Sequence, residues 1–176
     1  METCPICGHT LQVIKDKPYD YSECGLNVVL YGITQYYCES CEEAFAEIPD
    51  ISKLHRLIGA NICTKKKAIL QPAEIKFLRK NLQLKAKDLA KAMGVSVSTL
   101  SRWENNKKEI SDGYDRLLRS LYMMYASEMD CCIIQEGVLN LFRGFPHQRK
   151  HIEQPSEIAL NPQEWMIDSC ICAPAS

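Results

Sequence analysis

Two Cys-x-x-Cys pairs, Cys4-Pro5-Ile6-Cys7 and Cys38-Glu39-Ser40-Cys41, constrain this chain more than any other feature. Such a turn points two thiolates at one ion while its backbone N–H groups bond to the sulfurs. Two knuckles then complete a closed tetrahedral Cys4 site, the usual form of structural zinc. Four thiolates leave no coordination position open for water, which argues against a catalytic metal. A redox dithiol normally opens a helix beside a strand–helix unit, and Met1-Glu2-Thr3 supplies none. The chain carries ten cysteines, and in a reducing cytosol paired spacings favour metal over disulfides. The expectation is one structural Zn2+ on Cys4, Cys7, Cys38 and Cys41. Cys24, Cys63, Cys131, Cys132, Cys170 and Cys172 read as ordinary thiols, and His9 as a surface residue.

The knuckles are separated by residues 8 to 37, longer than the common spacing of about 15 to 20 but enough for an extended hairpin. The run Val28-Val29-Leu30-Tyr31-Gly32-Ile33-Thr34-Gln35-Tyr36-Tyr37 is β-branched and aromatic, a composition that favours strands. Gly8 follows the first knuckle, whereas Glu42 stands at the matching place in the second and must accept a turn that glycine takes more easily. Next, Ile51, Leu54, Leu57 and Ile58 fall on one helical face, with Asp50 or Ser52 as cap. Residues 1–62 are therefore expected to form a small β-rich zinc domain whose folding needs the metal.

The net charge of −1 conceals a segregation. Residues 1–62 hold four basic and nine acidic side chains, residues 63–120 fourteen and six, and residues 121–176 three and seven. A basic middle between acidic flanks suits a phosphate-binding module whose neighbours must not adhere to nucleic acid; a solvated basic helix surface is the plainer alternative. No apolar run approaches the roughly 18 residues that cross a bilayer, and the first ten residues lack a basic, greasy leader. A cytoplasmic protein without membrane contact is expected.

Thr64-Lys65-Lys66-Lys67 reads as a basic hinge, and Pro72 as the first position of a helix. From there Ile75, Leu78 and Leu82 share a buried face. A second helix, Lys85 to Met93, turns Leu89, Ala90 and Met93 inward. Gly94 ends it, Val95 plugs the core and Ser96 caps a third helix from Val97 to about Glu104. Its buried side is assigned to Val97, Leu100 and Trp103, or part of that set. Ser98, Thr99, Ser101, Arg102 and Asn105 are assigned to its outer face. A fourth helix, Asp112 to Ala126, carries Tyr114, Leu117, Leu118 and Leu121 and closes the bundle with them. Two helices joined by a short glycine-containing turn form a unit whose second helix enters the major groove. Arg102 is placed to read guanine O6 and N7. Ser96, Ser98, Thr99 and Asn105 line the same approach, and Lys85, Lys87, Lys107 and Lys108 sit where flanking phosphates lie. Residues 72–126 form the expected DNA-binding domain. Residues 127–176, broken by Gly144, Pro146, Pro155 and Pro162, are a partly helical tail with no assigned role and one helix expected before Phe142.

The Cys-Pro-x-Cys-Gly opening, the second Cys-x-x-Cys some thirty residues on and the Ser-x-Ser-Thr-Leu-Ser-Arg-Trp-Glu-Asn stretch from Ser96 resemble the MqsA-type antitoxins. These join a YgiT-type zinc finger to a helix-turn-helix of the Xre/Cro class. The resemblance covers residues 1 to about 126. It implies an α+β multidomain fold, a small β-rich Cys4 domain followed by an all-α bundle. It also implies zinc on the four cysteines, a toxin neutralised by the N-terminal domain, and a homodimer on palindromic operator DNA. Arg102 matches the family's base-reading arginine. Its base-reading asparagine falls on Ser98, and the usual Ser/Thr-Gln start of the second helix is Lys85-Ala86, so a different operator and a lysine–phosphate contact are expected. A stand-alone zinc-containing regulator without a toxin remains the alternative. An enzyme is not expected, because the histidines at 9, 55, 147 and 151 form no ligand pattern with acids.

Overall fold

The computed structural model describes residues 2–15, 17–66, 68–129 and 157–161. Short strands occupy the N-terminal third: β1 Gln12–Ile14, β2 Tyr19–Asp20, β3 Val28–Leu30, β4 Gln35–Tyr37 and β5 Ala44–Ala46. Five helices come next: α1 Ile51–Thr64, α2 Pro72–Asn81, α3 Ala86–Ala92, α4 Val97–Glu104 and α5 Asp112–Met129. The last strand among the described residues is β6, Ile158–Leu160. The fold is α+β, a small β-rich region bearing the cysteine cluster and then a helical bundle.

The β-branched run divides at Tyr31–Thr34 and feeds two sheets rather than one hairpin. β4 lies between β1 and β5, antiparallel to both, while β3 lies between antiparallel β2 and parallel β6. Val28 and Leu30 are buried, and Val29 is half-buried on the opposite face. β6 comes from the C-terminal tail and continues the ladder beyond its own strand. The Ile158 N–H donates to the Asn27 carbonyl at 3.0 Å and the Tyr31 N–H to the Leu160 carbonyl at 2.9 Å. Leu160 is fully buried. The expected tail helix and the four cysteines at 131, 132, 170 and 172 lie outside the described residues.

The core is continuous. Val28, Leu30 and Leu160 from the sheet join Leu54 and Ile58 of α1, Ile75 and Leu78 of α2, Leu89 of α3, Leu100 and Trp103 of α4 and Leu118 and Tyr122 of α5. Asp50 caps α1 by accepting from Lys53 N–H at 2.8 Å, and Pro72 stands in the first turn of α2 behind a Gln71/Glu74 capping box. Helix α1 packs on both α2 and α5. At its crossing with α5, a Cβ on Gly59 would strike the buried Tyr122 ring, so only glycine lets the two helices approach.

Three expectations need correction. Ile51 is half exposed, lying on the rim of α1. Leu117 is exposed, because the buried stripe of α5 runs through Asp115, Leu118, Arg119, Tyr122 and Ala126. The basic hinge is no hinge at its described residues: Thr64 is the last residue of α1, and buried Arg119 grips the backbone around the end of that helix. Its guanidinium donates to the carbonyls of Ile62 at 2.6 Å, Cys63 and Lys66 at 3.1 Å and Ala68 at 2.8 Å. It also holds the Asp115 carboxylate at 2.9 Å, and Leu70 N–H donates to that same carboxylate at 2.8 Å. Lys66 is tied to Glu74 at 2.6 Å, both nearly buried. Polar groups arranged this way satisfy the inward-facing backbone carbonyls of the α1–α2 connection.

Candidate metal centre and nucleic-acid interface

The antiparallel pairing of β1 with β4 sets Gln12 opposite Tyr37, which carries the strand leaving the first knuckle alongside the strand entering the second. Both knuckles close with the same hydrogen bond. Cys4 N–H donates to the His9 carbonyl at 2.7 Å, and Cys38 N–H to the Glu43 carbonyl at 2.9 Å. Gly8 and Glu42, each four residues after the first cysteine of its pair, have φ of 76° and 58°. Glu42 thus takes the left-handed turn its position demands, at a cost glycine would not incur.

The sulfurs of Cys4, Cys7, Cys38 and Cys41 all lie within 4.8 Å of one another. Cys4 Sγ stands 3.6 Å from Cys41 Sγ, and Cys7 Sγ 3.4 Å from Cys38 Sγ. A tetrahedral ion with Zn–S bonds of about 2.3 Å needs sulfurs roughly 3.8 Å apart, so the donor set fits zinc with little adjustment. Burial alone would raise the Cys4 thiol, but the N–H groups of Cys7 and Ile6 aimed at its sulfur bring it down to about 7. Burial, with the neighbouring sulfurs, pushes Cys41 up to about 12. The centre takes one structural zinc, holding the two knuckles at one end of the sheet. Cys24 and Cys63 differ: burial raises both thiols, and the Cys24 thiol donates to the Tyr21 carbonyl at 3.2 Å. His9 is exposed and lies outside the sulfur cluster.

Along the helical part of the chain, α3 and α4 pack as the expected pair of helices around the turn Met93–Ser96, with Gly94 at φ 68°. Leu89, Ala90, Met93, Leu100 and Trp103 are buried. Ser96 Oγ accepts from Thr99 N–H at 3.1 Å and lies 3.1 and 2.9 Å from the hydroxyls of Ser98 and Thr99. Ser96, Ser98, Arg102, Asn105, Lys107, Lys108, Lys85 and Lys87 are exposed and Thr99 is half-buried. Asn105 turns its amide back to the Ser101 carbonyl at 2.7 Å. The assignment of Val97 to the core does not hold, for its side chain is 48% exposed. Leu100 and Trp103 fill the interior without it.

One positioning pair is not legible in the sequence. Arg79 of α2 forks onto Glu104 at the end of α4, with Nε–Oε1 at 2.6 Å and Nη2–Oε2 at 3.0 Å, and its Nη1 donates to the Leu84 carbonyl. A bidentate pair of this kind fixes direction as well as distance, and it anchors the helix that presents Arg102. Helical periodicity places Arg79 one turn from Ile75 but does not say which element it reaches.

A sulfur-knuckle β-region joined to a helix-turn-helix bundle defines a metal-stabilised protein of the helix-turn-helix class. The family description "antitoxin component of bacterial toxin-antitoxin system, MqsA" matches residues 1–123. The chain belongs to the MqsA antitoxin family. No curated protein and no solved structure matched it. The family match ends within α5, so β6 lies beyond it. Among the described residues no helix is long and apolar enough to cross a membrane.

Proposed function

We propose that the chain is a sequence-specific DNA-binding repressor, the cytoplasmic antitoxin of a type II toxin–antitoxin system, which represses its own promoter and neutralises its toxin through the zinc domain. The supporting observation is the solvent-facing surface of α4, where exposed Arg102 stands on a helix anchored from behind by Arg79 and Glu104. In this reading residues 1–62 face the toxin and residues 72–126 face DNA. Arg102 donates its fork to guanine O6 and N7. Ser98, Thr99 and Asn105 line the approach, while Ser96 holds the helix end. Lys85, Lys87, Lys107 and Lys108 neutralise phosphates, which position the protein without reading sequence. Two copies place their recognition helices about 34 Å apart, so the operator is a palindrome with half-sites one turn apart. The acidic N-terminal third suits a basic toxin by complementary charge.

The test is binding to duplex DNA from upstream of the chain's own gene. Arg102→Ala is expected to weaken binding roughly 5- to 150-fold, from the loss of about 1–3 kcal/mol of base discrimination, and to relax the preference at one base pair. Unchanged affinity and specificity would remove Arg102 from the interface. Co-expression with the neighbouring reading frame separates the two forms of the proposal. A product that arrests growth alone and is rescued by this chain identifies the toxin, whereas a harmless one leaves a stand-alone regulator.

A further inference from the structure

Resting on the DNA-binding reading above, we propose that Val97 is a specificity-determining residue whose exposed isopropyl group packs against the 5-methyl of a thymine in the major groove.

Residue type and position disagree at Val97. A β-branched apolar residue beside Leu100 belongs in the core by type, yet Val97 is 48% exposed while Leu100 and Trp103 are at 0% and 2%. At about 100° per residue, residues 97, 98, 101, 102 and 105 cover a contiguous arc of about 140° on α4, and all five are exposed, Val97 at its margin. Val97 bounds that arc at its N-terminal margin and Arg102 at the other. Between them, Ser98 Oγ lies against Ser96 Oγ, and Asn105 bonds back to Ser101. The polar groups between the margins are thus partly engaged with the helix itself.

Val97 is also the first residue of α4, and the N-terminal residues of a recognition helix are those that contact base edges. Branching at Cβ holds valine in one strongly preferred rotamer in a helix, so it presents its methyls with little freedom to lose. The apolar feature offered by base edges in the major groove is the thymine methyl. Val97 and Arg102 are five residues apart, about 7.5 Å along the helix axis, or roughly two base steps of about 3.4 Å. The thymine should therefore lie two or three base pairs from the guanine that Arg102 reads.

The experiment uses the full-length, zinc-loaded protein and a duplex recovered by it from a random-sequence pool. Affinity is measured on that duplex with each thymidine replaced in turn by deoxyuridine, which removes only the methyl. Each guanine is likewise replaced by 7-deazaguanine, which removes only N7. At one thymine or more, loss of the methyl is expected to weaken the wild type about three- to fivefold, the worth of one buried methyl. Val97→Ala, with an unchanged melting temperature, should bind the methylated and demethylated duplexes equally. That thymine should sit two or three base pairs from a guanine whose N7 matters to the wild type but not to Arg102→Ala. If every methyl deletion affects wild type and Val97→Ala alike, or if no thymine recurs in the recovered sites, Val97 is only a solvent-facing helix residue and the proposal is overturned. Binding that still depends on Arg102 in that case leaves the DNA-binding reading standing. Failure to recover any duplex overturns both.

Discussion

Arg119 shows how much one buried side chain can carry. It is fully buried, with its guanidinium shared among four carbonyls around the end of α1 and the Asp115 carboxylate one turn earlier. Arg119→Met keeps the length and apolar stem but leaves the Asp115 charge without its cation and those carbonyls without donors. Removing one partner of a buried pair typically costs about 3–5 kcal/mol. A lowered urea midpoint with little change in slope would register that loss, whereas an unchanged midpoint would mean that water replaces the guanidinium. Asp115 and Arg119 stand four apart on the same stripe as Leu118 and Tyr122, so a signal for a buried ion pair was present in the sequence. The carbonyls it serves, some fifty residues earlier, were not legible, because nothing local specifies them.

Among the elements, α1 packs on α2 and α5 and shares the apolar core with β3 and β6. Its His55 lies at that junction. The Tyr21 hydroxyl is 2.7 Å from Nε2, and the Phe77 ring meets the imidazole edge-on with centroids 5.6 Å apart. Burial lowers the His55 pKa below its usual 6.5. The folded protein therefore binds this proton less readily than the unfolded chain, and stability falls as pH drops through about 6.5 towards the lower folded value. The melting temperature should decline between pH 7 and 5, and His55→Gln should flatten that slope; an equal slope in the variant would assign it elsewhere. The knuckles behave differently, because their sulfurs cluster apart from the apolar core. Chelating the zinc should strip amide-exchange protection from residues 4–14 and 35–46 and leave the far-UV helical signal largely intact. The reason is that β3 stays held by α1 and β6 through Val28, Leu30 and Leu160. Collapse of the whole helical signal would show that the metal supports the entire fold.

For the whole molecule, charge is segregated along the chain although the core is continuous. Fourteen of the twenty-one basic residues fall between positions 63 and 120, around the helix-turn-helix, with acidic flanks on either side. If Lys85, Lys87, Lys107 and Lys108 each release a counterion from DNA, the logarithm of affinity should fall with the logarithm of salt at a slope of roughly −0.9 per phosphate neutralised. Titrations at several salt concentrations measure it, and a flat response would place those lysines away from DNA. What the sequence by itself determined was local. The four sulfur ligands come from Cys-x-x-Cys spacing, and the Asp50, Pro72 and Ser96 helix starts from capping chemistry. The buried faces of Leu78, Leu89, Leu100 and Leu118 come from helical period. Each depends on atoms within a few residues or on one shared ion. Only the tertiary structure decided that Val97 faces solvent, that the lysine-rich stretch at the end of α1 is gripped by Arg119, that Arg79 reaches Glu104, and that Ile158–Leu160 completes the sheet beside β3. Those outcomes depend on which distant surfaces meet, and periodicity identifies an apolar or charged face without naming its partner.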